Sequence, residues 1–194
     1  MSLLRLFVIF AFTVVIGFCD LATAQSKERQ DNNLLTSPKK VSATMPLSQA
    51  AEQDEKENGR TALKALLGLA NATADGLNYR EFTAKLREVE GIVDEALRKM
   101  GSGPLRDEIA KSLQCYKDAR NYWREKAEKQ VSALILSEDE VQALKKRYGA
   151  GVESAVSSLP DSPKKQVAIE PLVKAIWEHA ASIVLQAERK QQKQ

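Results

Sequence analysis

One histidine and two cysteines limit the chemistry that this 194-residue chain could perform. His179 is the single histidine, and Cys19 lies in an apolar N-terminal run, which leaves Cys115 in the polar part of the chain. A structural zinc site takes four Cys or His ligands, and a catalytic one usually takes three protein ligands. Di-iron bundles need paired Glu-x-x-His motifs, and c-type haem needs Cys-x-x-Cys-His. The sequence contains neither motif, so we expect no metal and no cofactor.

Two pairings of these residues stay open as alternatives. Cys115 could act as a nucleophile with His179 as its base, but a cysteine in a helical pattern is usually a small buried core residue. Met100 and His179 could hold a haem between helices, although a lone histidine beside an apolar stripe is usually a packing or surface residue. The chain has no Gly-x-Ser-x-Gly turn and no glycine-rich phosphate loop after a strand. We therefore predict that the protein is not an enzyme.

The densest group of binding-type side chains lies on one stretch of about nine residues. Tyrosine, tryptophan and arginine are the residues enriched in interface hot spots, and they recur here at helical spacing. The stretch predicts a candidate partner-binding surface made of Tyr116, Arg120, Tyr122, Trp123 and Arg124. The competing interpretation, which we favour, places Tyr116 and Trp123 in the core and lays the aliphatic stem of Arg120 over them.

The first 24 residues have the pattern of a signal peptide. Arg5 precedes a 13-residue apolar run, and Ala22-Thr23-Ala24 has the small residues that precede signal-peptidase cleavage. The run is shorter than the roughly 20 residues of a membrane-spanning helix. We expect export, periplasmic or secreted, with cleavage near Ala24, and no transmembrane segment afterwards; an uncleaved anchor is the alternative.

Residues 25–60 form a polar segment in which basic and acidic residues balance and apolar residues show no sustained period. Such a composition buries too little apolar surface to offset the entropy of ordering. A disordered tether is predicted, with a helix from Ser48 onward as the alternative for its end. The net charge of the whole chain is only +3, which together with export argues against binding to nucleic acid.

A helical hairpin from Leu77 to Leu134 must position the candidate residues. Asn78 and Glu81 predict a capping box at the start of its first helix, and apolar residues then recur every three or four positions. The short loop Gly101-Ser102-Gly103-Pro104 ends this helix, and the second helix is predicted to run from Pro104 to Leu134. A loop of this length predicts two antiparallel neighbouring helices.

Three further helices complete the prediction. One covers about Thr61–Ala74, a short one follows a capping box of Ser137 and Glu140, and the last begins between Ser162 and Pro171. No segment alternates with the period of two that a strand requires. The sequence therefore predicts an all-α fold, an antiparallel up-and-down bundle of about four helices plus one short helix, over residues 61–190.

The expected function is that of an exported, non-catalytic helical-bundle protein that binds a protein or envelope component or serves as a structural module of the cell envelope. The alternative is an amphipathic-helix protein that acts at a membrane surface. That function requires a basic polar face beside exposed apolar residues, whereas the charges here are mixed along most helices.

Overall fold

The fold is seen in a computed structural model that describes residues 47–192. The α-helices are α1 (Leu47–Asp75), α2 (Tyr79–Lys99), α3 (Pro104–Lys129), α4 (Glu138–Tyr148) and α5 (Ile169–Gln191). A 3₁₀ helix covers Ala150–Ala155, and the strands are β1 (Ala133–Leu136), β2 (Val156–Ser158) and β3 (Lys165–Ala168). The predicted signal peptide, residues 1–24, and the tether up to residue 46 lie outside the described residues.

The protein is mainly helical, as predicted, but the expectation that it has no strand is wrong. The three strands form one antiparallel sheet in the order β1-β3-β2. Ala133 lies opposite Ala168, and Val156 lies opposite Val167. Each strand has only three or four residues, so none is long enough to show a period of two above the helical background. The pairing of β1 with β3 joins segments some 30 residues apart, which no local pattern can indicate.

Helix α1 begins inside the segment predicted to be a tether. It starts at Leu47, and Gly59 is already buried among other helices. A Cβ atom placed on Gly59 would lie 2.8 Å from Leu105 Cδ2 and 3.4 Å from Met100 Cε. The start of α1 agrees with the alternative of a helix from Ser48 onward at the end of the predicted tether. The missing side chain of Gly59 lets α1 pack closely at a place where composition alone indicates solvent.

Capping residues fix the start of α2 and α4 as predicted. Asn78 accepts a hydrogen bond from the amide of Glu81, whose carboxylate accepts one from the amide of Asn78. Ser137 and Glu140 form the same reciprocal pair before α4. Each box satisfies two backbone amides that have no partner within the helix.

Helix α3 is shorter than predicted, ending at Lys129 rather than at Leu134. Gln130 adopts a left-handed conformation with φ of 57°, and the amide of Val131 donates to the carbonyl of Glu125. The chain then turns into β1. Val131 and Leu134 continue the apolar spacing of α3 but belong to the turn and the strand, which is why the pattern extends the helix too far.

The four long helices contact one another in the cyclic order α1–α2–α3–α5. The apolar stripe predicted for the last helix is buried in α5 as expected, with Leu172, Ile176 and Val184 at its centre. The Ser112 hydroxyl donates across the core to the carbonyl of Ala180 at 3.1 Å, which satisfies a buried polar group and links α3 to α5. Among residues 47–192, no helix combines the length and the apolar content that crossing a bilayer would require.

Candidate binding groove

The five residues of the predicted partner-binding surface do not form one surface. Tyr116 is completely buried, and burial raises the pKa of its phenol well above the ordinary range. It cannot contribute to a surface, so its inclusion in the predicted site is wrong. Its position agrees instead with the core interpretation, because a helix packed among α1, α2 and α5 must bury one face to be stable.

Trp123 belongs to a cluster of aromatic rings on α2, α3 and α5. Its ring centroid lies 5.9 Å from Tyr79, 5.8 Å from Phe82 and 5.1 Å from Trp177. Phe82 is also 5.0 Å from Trp177. These separations are those of favourable tilted and edge-to-face pairs. Trp123 is only partly buried, but its contacts are with the core of the molecule.

The other three candidates point to different neighbours. Arg120 pairs with Glu90 of α2 at 3.0 Å, Tyr122 is half-buried beside Asp118, and Arg124 is exposed. Burial and, to a lesser extent, the charge of Asp118 raise the pKa of Tyr122. The stretch from 116 to 124 therefore holds α3 against its neighbours instead of presenting a continuous face.

The structure also bears on the two chemical alternatives, a Cys115 nucleophile with His179 as its base and a haem held between Met100 and His179. Cys115 is buried, and desolvation raises the pKa of its thiol to about 11, so little thiolate exists at neutral pH. The ring of His179 lies against Tyr148 of α4, whereas the methyl group of Met100 lies beside Gly59 of α1. His179 and Met100 therefore contact different elements. In the part of the chain that the structure describes, no group of three His, Cys, Asp or Glu side chains could hold a metal ion.

A carboxylate that the sequence did not single out joins α3 to α4. Asp118 accepts a hydrogen bond from the Tyr148 hydroxyl at 2.9 Å, one from Gln114 at 3.0 Å and one from Arg147 at 2.5 Å. Its side chain is only 13% exposed. Burial, followed by the bond to Asp118, raises the pKa of Tyr148 well above its ordinary value. Each oxygen of Asp118 is already occupied, so this cluster braces the fold rather than offering a reactive group.

An open groove lies where α1 passes the end of α5, and we call it the basic groove. Lys56, Arg60 and Lys64 follow one another at steps of four along α1 and therefore share one side of that helix. Leu63 and Leu67 form the apolar floor. The volume of the groove is about 480 Å³, and the α5 side contributes Glu188, Gln191 and Gln192.

Charge and shape together describe what the basic groove can accept. Three cations face one carboxylate across a floor of leucine side chains. Arg60 reaches Glu57 at 3.4 Å, but both side chains are more than two-thirds exposed, and such a pair contributes little. The groove can therefore pair with an anionic group while covering an apolar segment next to it. Lys56 and Arg60 fall in the predicted tether, where only their four-residue spacing with Lys64 could have revealed them.

A second groove lies further along the contact between α1 and α5, and we call it the tryptophan groove. Thr73, Ala70 and Ala74 line its α1 side, and Trp177 and Ala181 line its α5 side. Its volume is about 470 Å³. The indole nitrogen of Trp177 is buried with no hydrogen-bond partner among the described residues. Lys174 and Glu178 lie at the rim, 4.0 Å apart and well exposed, so they give the groove no net charge.

The described residues form a mainly helical protein with a small antiparallel sheet and two open grooves between α1 and α5. A comparison with protein-family models, curated proteins and solved structures finds no match to this chain.

Proposed function

We propose that this protein is an exported, non-catalytic binding module of the cell envelope that takes an anionic envelope component into the basic groove. The N-terminal pattern supports export and cleavage near Ala24. The short connections between α2 and α3 and between α1 and α2 support an antiparallel up-and-down arrangement of the four long helices.

One observation carries the proposal. Lys56, Arg60 and Lys64 share one side of α1 and line the basic groove together with Leu63 and Leu67. The lining holds three cations and one carboxylate, and the exposed pair of Arg60 with Glu57 contributes little, so the groove favours an anionic partner. The apolar floor favours a partner whose charge adjoins hydrocarbon. The buried thiol of Cys115, with its raised pKa, supports a role without nucleophilic chemistry.

The membrane-surface alternative has less support. A helix that lies in a membrane interface needs an exposed apolar face beside basic residues. Among the residues whose exposure is described, only three large apolar side chains are more than a third exposed, and they lie on three different elements: Ile92, Ile135 and Leu185. Single exposed apolar residues of this kind are ordinary on protein surfaces.

The test uses residues 25–194 immobilised and exposed to cell-envelope extract. A triple charge reversal, Lys56→Glu, Arg60→Glu and Lys64→Glu, should weaken retention of the bound anionic component about tenfold or more, because attraction in the groove becomes repulsion. The matched control reverses three exposed basic residues outside the groove: Arg80→Glu, Arg87→Glu and Lys146→Glu. It changes net charge equally and should retain the component.

Two results would count against this function. Equal loss in both triple variants would mean that net charge, not the groove, governs retention. If the wild type, the groove variant and the control variant all sediment equally with anionic phospholipid vesicles, that result would favour the membrane-surface alternative.

A further inference from the structure

The two edges of the small sheet differ in their protection. Strand β2 has three residues, ends in the exposed Ser157 and Ser158, and is followed closely by Pro160. Strand β1 reads Ala-Leu-Ile-Leu, and Ile135 is 51% exposed, more than any other large apolar side chain described. Proteins usually blunt a free strand edge with charge, proline or polar residues. The edge formed by β2 has such features, whereas the edge formed by β1 has none.

The hydrogen-bond pattern shows which backbone groups of β1 are free. The amide of Ile169 donates to the carbonyl of Ser132 at 3.0 Å, and Leu134 lies opposite Val167. Because bonded residues alternate along an antiparallel pair, Ser132, Leu134 and Leu136 turn their backbone groups toward β3. Ala133 and Ile135 turn theirs outward, where no strand of the described residues pairs with them.

At both ends of this outward edge, the next backbone amide already donates a hydrogen bond within its own chain. The amide of Val131 donates to Glu125, and the amide of Ser137 donates to the Glu140 carboxylate at 2.7 Å. The available ladder is therefore limited to the amides and carbonyls of Ala133 and Ile135. An antiparallel partner that offers the same two residues satisfies all four groups in one register, with Ala133 opposite Ile135 of the partner and Leu134 opposite Leu134.

The charges that flank β1 also complement a second copy. Lys129 ends α3 four residues before the strand, and its side chain is 63% exposed and pairs with Glu125. Glu138 follows the strand, is 54% exposed and pairs with Lys165, and the next residue, Asp139, is also exposed. In an antiparallel pair each basic flank lies next to the acidic flank of the other copy. A parallel arrangement would instead bring like charges together.

From this geometry we propose that β1 pairs antiparallel with β1 of a second copy of this chain, centred on Leu134, to form a six-stranded sheet across a twofold axis. The contact is isologous, as a twofold dimer requires. A ladder of four-residue strands covers less than the roughly 1,000 Å² of a stable interface, so the dimer dissociates on dilution. The proposal does not depend on the basic groove, and the triple groove variant should dimerise normally.

Sedimentation of residues 25–194 over a range of concentrations provides the first test. The wild type should shift from monomer to dimer as concentration rises. Ile135→Pro removes an outward amide and leaves the bonds to β3 intact, so we expect at least a tenfold rise in the dimer dissociation constant, about 1.4 kcal/mol. Ser158→Pro, which removes an outward amide from the β2 edge, should leave dimerisation unchanged. Ile135→Lys is a second variant, for use if the proline lowers helicity by circular dichroism.

A cysteine scan tests the register. Two Leu134→Cys chains would place their Cα atoms about 4.5 Å apart in a non-hydrogen-bonded pair, within the range of a disulfide. Two Ile135→Cys chains would lie diagonally, about 7–8 Å apart, although position 135 is the more exposed. Leu134→Cys should therefore form the covalent dimer faster under mild oxidation. A protein that stays monomeric at every concentration, or cross-linking through position 135 in preference to 134, would overturn the proposal.

Discussion

At the scale of single residues, His179 shows how burial creates a pH response. Its Nε2 atom is buried without a hydrogen-bond partner among the described residues, and its ring lies 6.4 Å from that of Tyr148. Desolvation, assisted by the charge of Lys111, lowers the pKa of His179 below its ordinary value of 6.5. The neutral imidazole is therefore the form that the fold accommodates.

The sign of the pH effect follows from this shift. Below pH 6.5 the unfolded chain takes up a proton at His179 more readily than the folded one, so the free energy of unfolding falls with pH until the folded-state pKa is reached. We expect His179→Gln to flatten this decline, measured by urea unfolding between about pH 8 and pH 5. Glu95, Glu138 and Glu140 have pKa values lowered from 4.5 and titrate below this window. A wild type that gains stability relative to the variant on acidification would contradict the prediction.

Residue types indicated the core better than the site. The alternation of apolar residues marked Phe82, Val89 and Val93 correctly, since a buried helix face repeats. Tyr116 carries the same residue type that marks hot spots, and only its neighbours decide between core and surface. The sequence did not indicate the role of Asp118, because its partner Tyr148 lies 30 residues away on another helix.

At the scale of elements, the capping boxes should have a measurable effect on stability. Asn78→Ala leaves the amide of Glu81 without its acceptor, and we expect a loss of about 1 kcal/mol in the free energy of unfolding. Asn78→Ser should restore most of it, since serine accepts the same bond. The matched control is Asn71→Ala, an exposed position inside α1 where alanine favours the helix. Urea unfolding measures all three, and equal losses at 71 and 78 would show that the cap contributes nothing specific.

The features that could not be predicted from the sequence are those that depend on contacts between segments distant along the chain. Helix ends marked by a cap or by Gly-Pro were predicted closely, because the signal lies within a few residues. Helix α3 instead ends at Lys129, because the next residue, Gln130, adopts a left-handed conformation that is usually taken by glycine or asparagine. The sheet depends on β3 lying between β1 and β2, and the basic groove depends on α1 meeting the end of α5.

At the scale of the whole molecule, the predicted tether of residues 25–60 includes the start of α1, residues 47–60. Residues 47–60 pack at Gly59 against Leu105 and Met100, which is 6% exposed. Removing them should cost about 1–3 kcal/mol of apolar burial, or about 3–10 °C in Tm. Thermal unfolding of residues 61–194 should reveal this loss, whereas residues 47–194 should match residues 25–194 if the preceding part is the proposed tether. A chain from 61 that is as stable as the longer ones would make the packing at Gly59 unimportant.

The aromatic cluster has an optical consequence. The chain contains two tryptophans, and Trp123 and Trp177 are in contact with ring planes inclined by 68°. They form one coupled chromophore rather than two independent reporters. Intrinsic tryptophan emission and the near-ultraviolet circular dichroism will therefore report the opening of the junction between α2, α3 and α5. Neither signal reports the melting of the small sheet, which requires a fluorophore attached beside it.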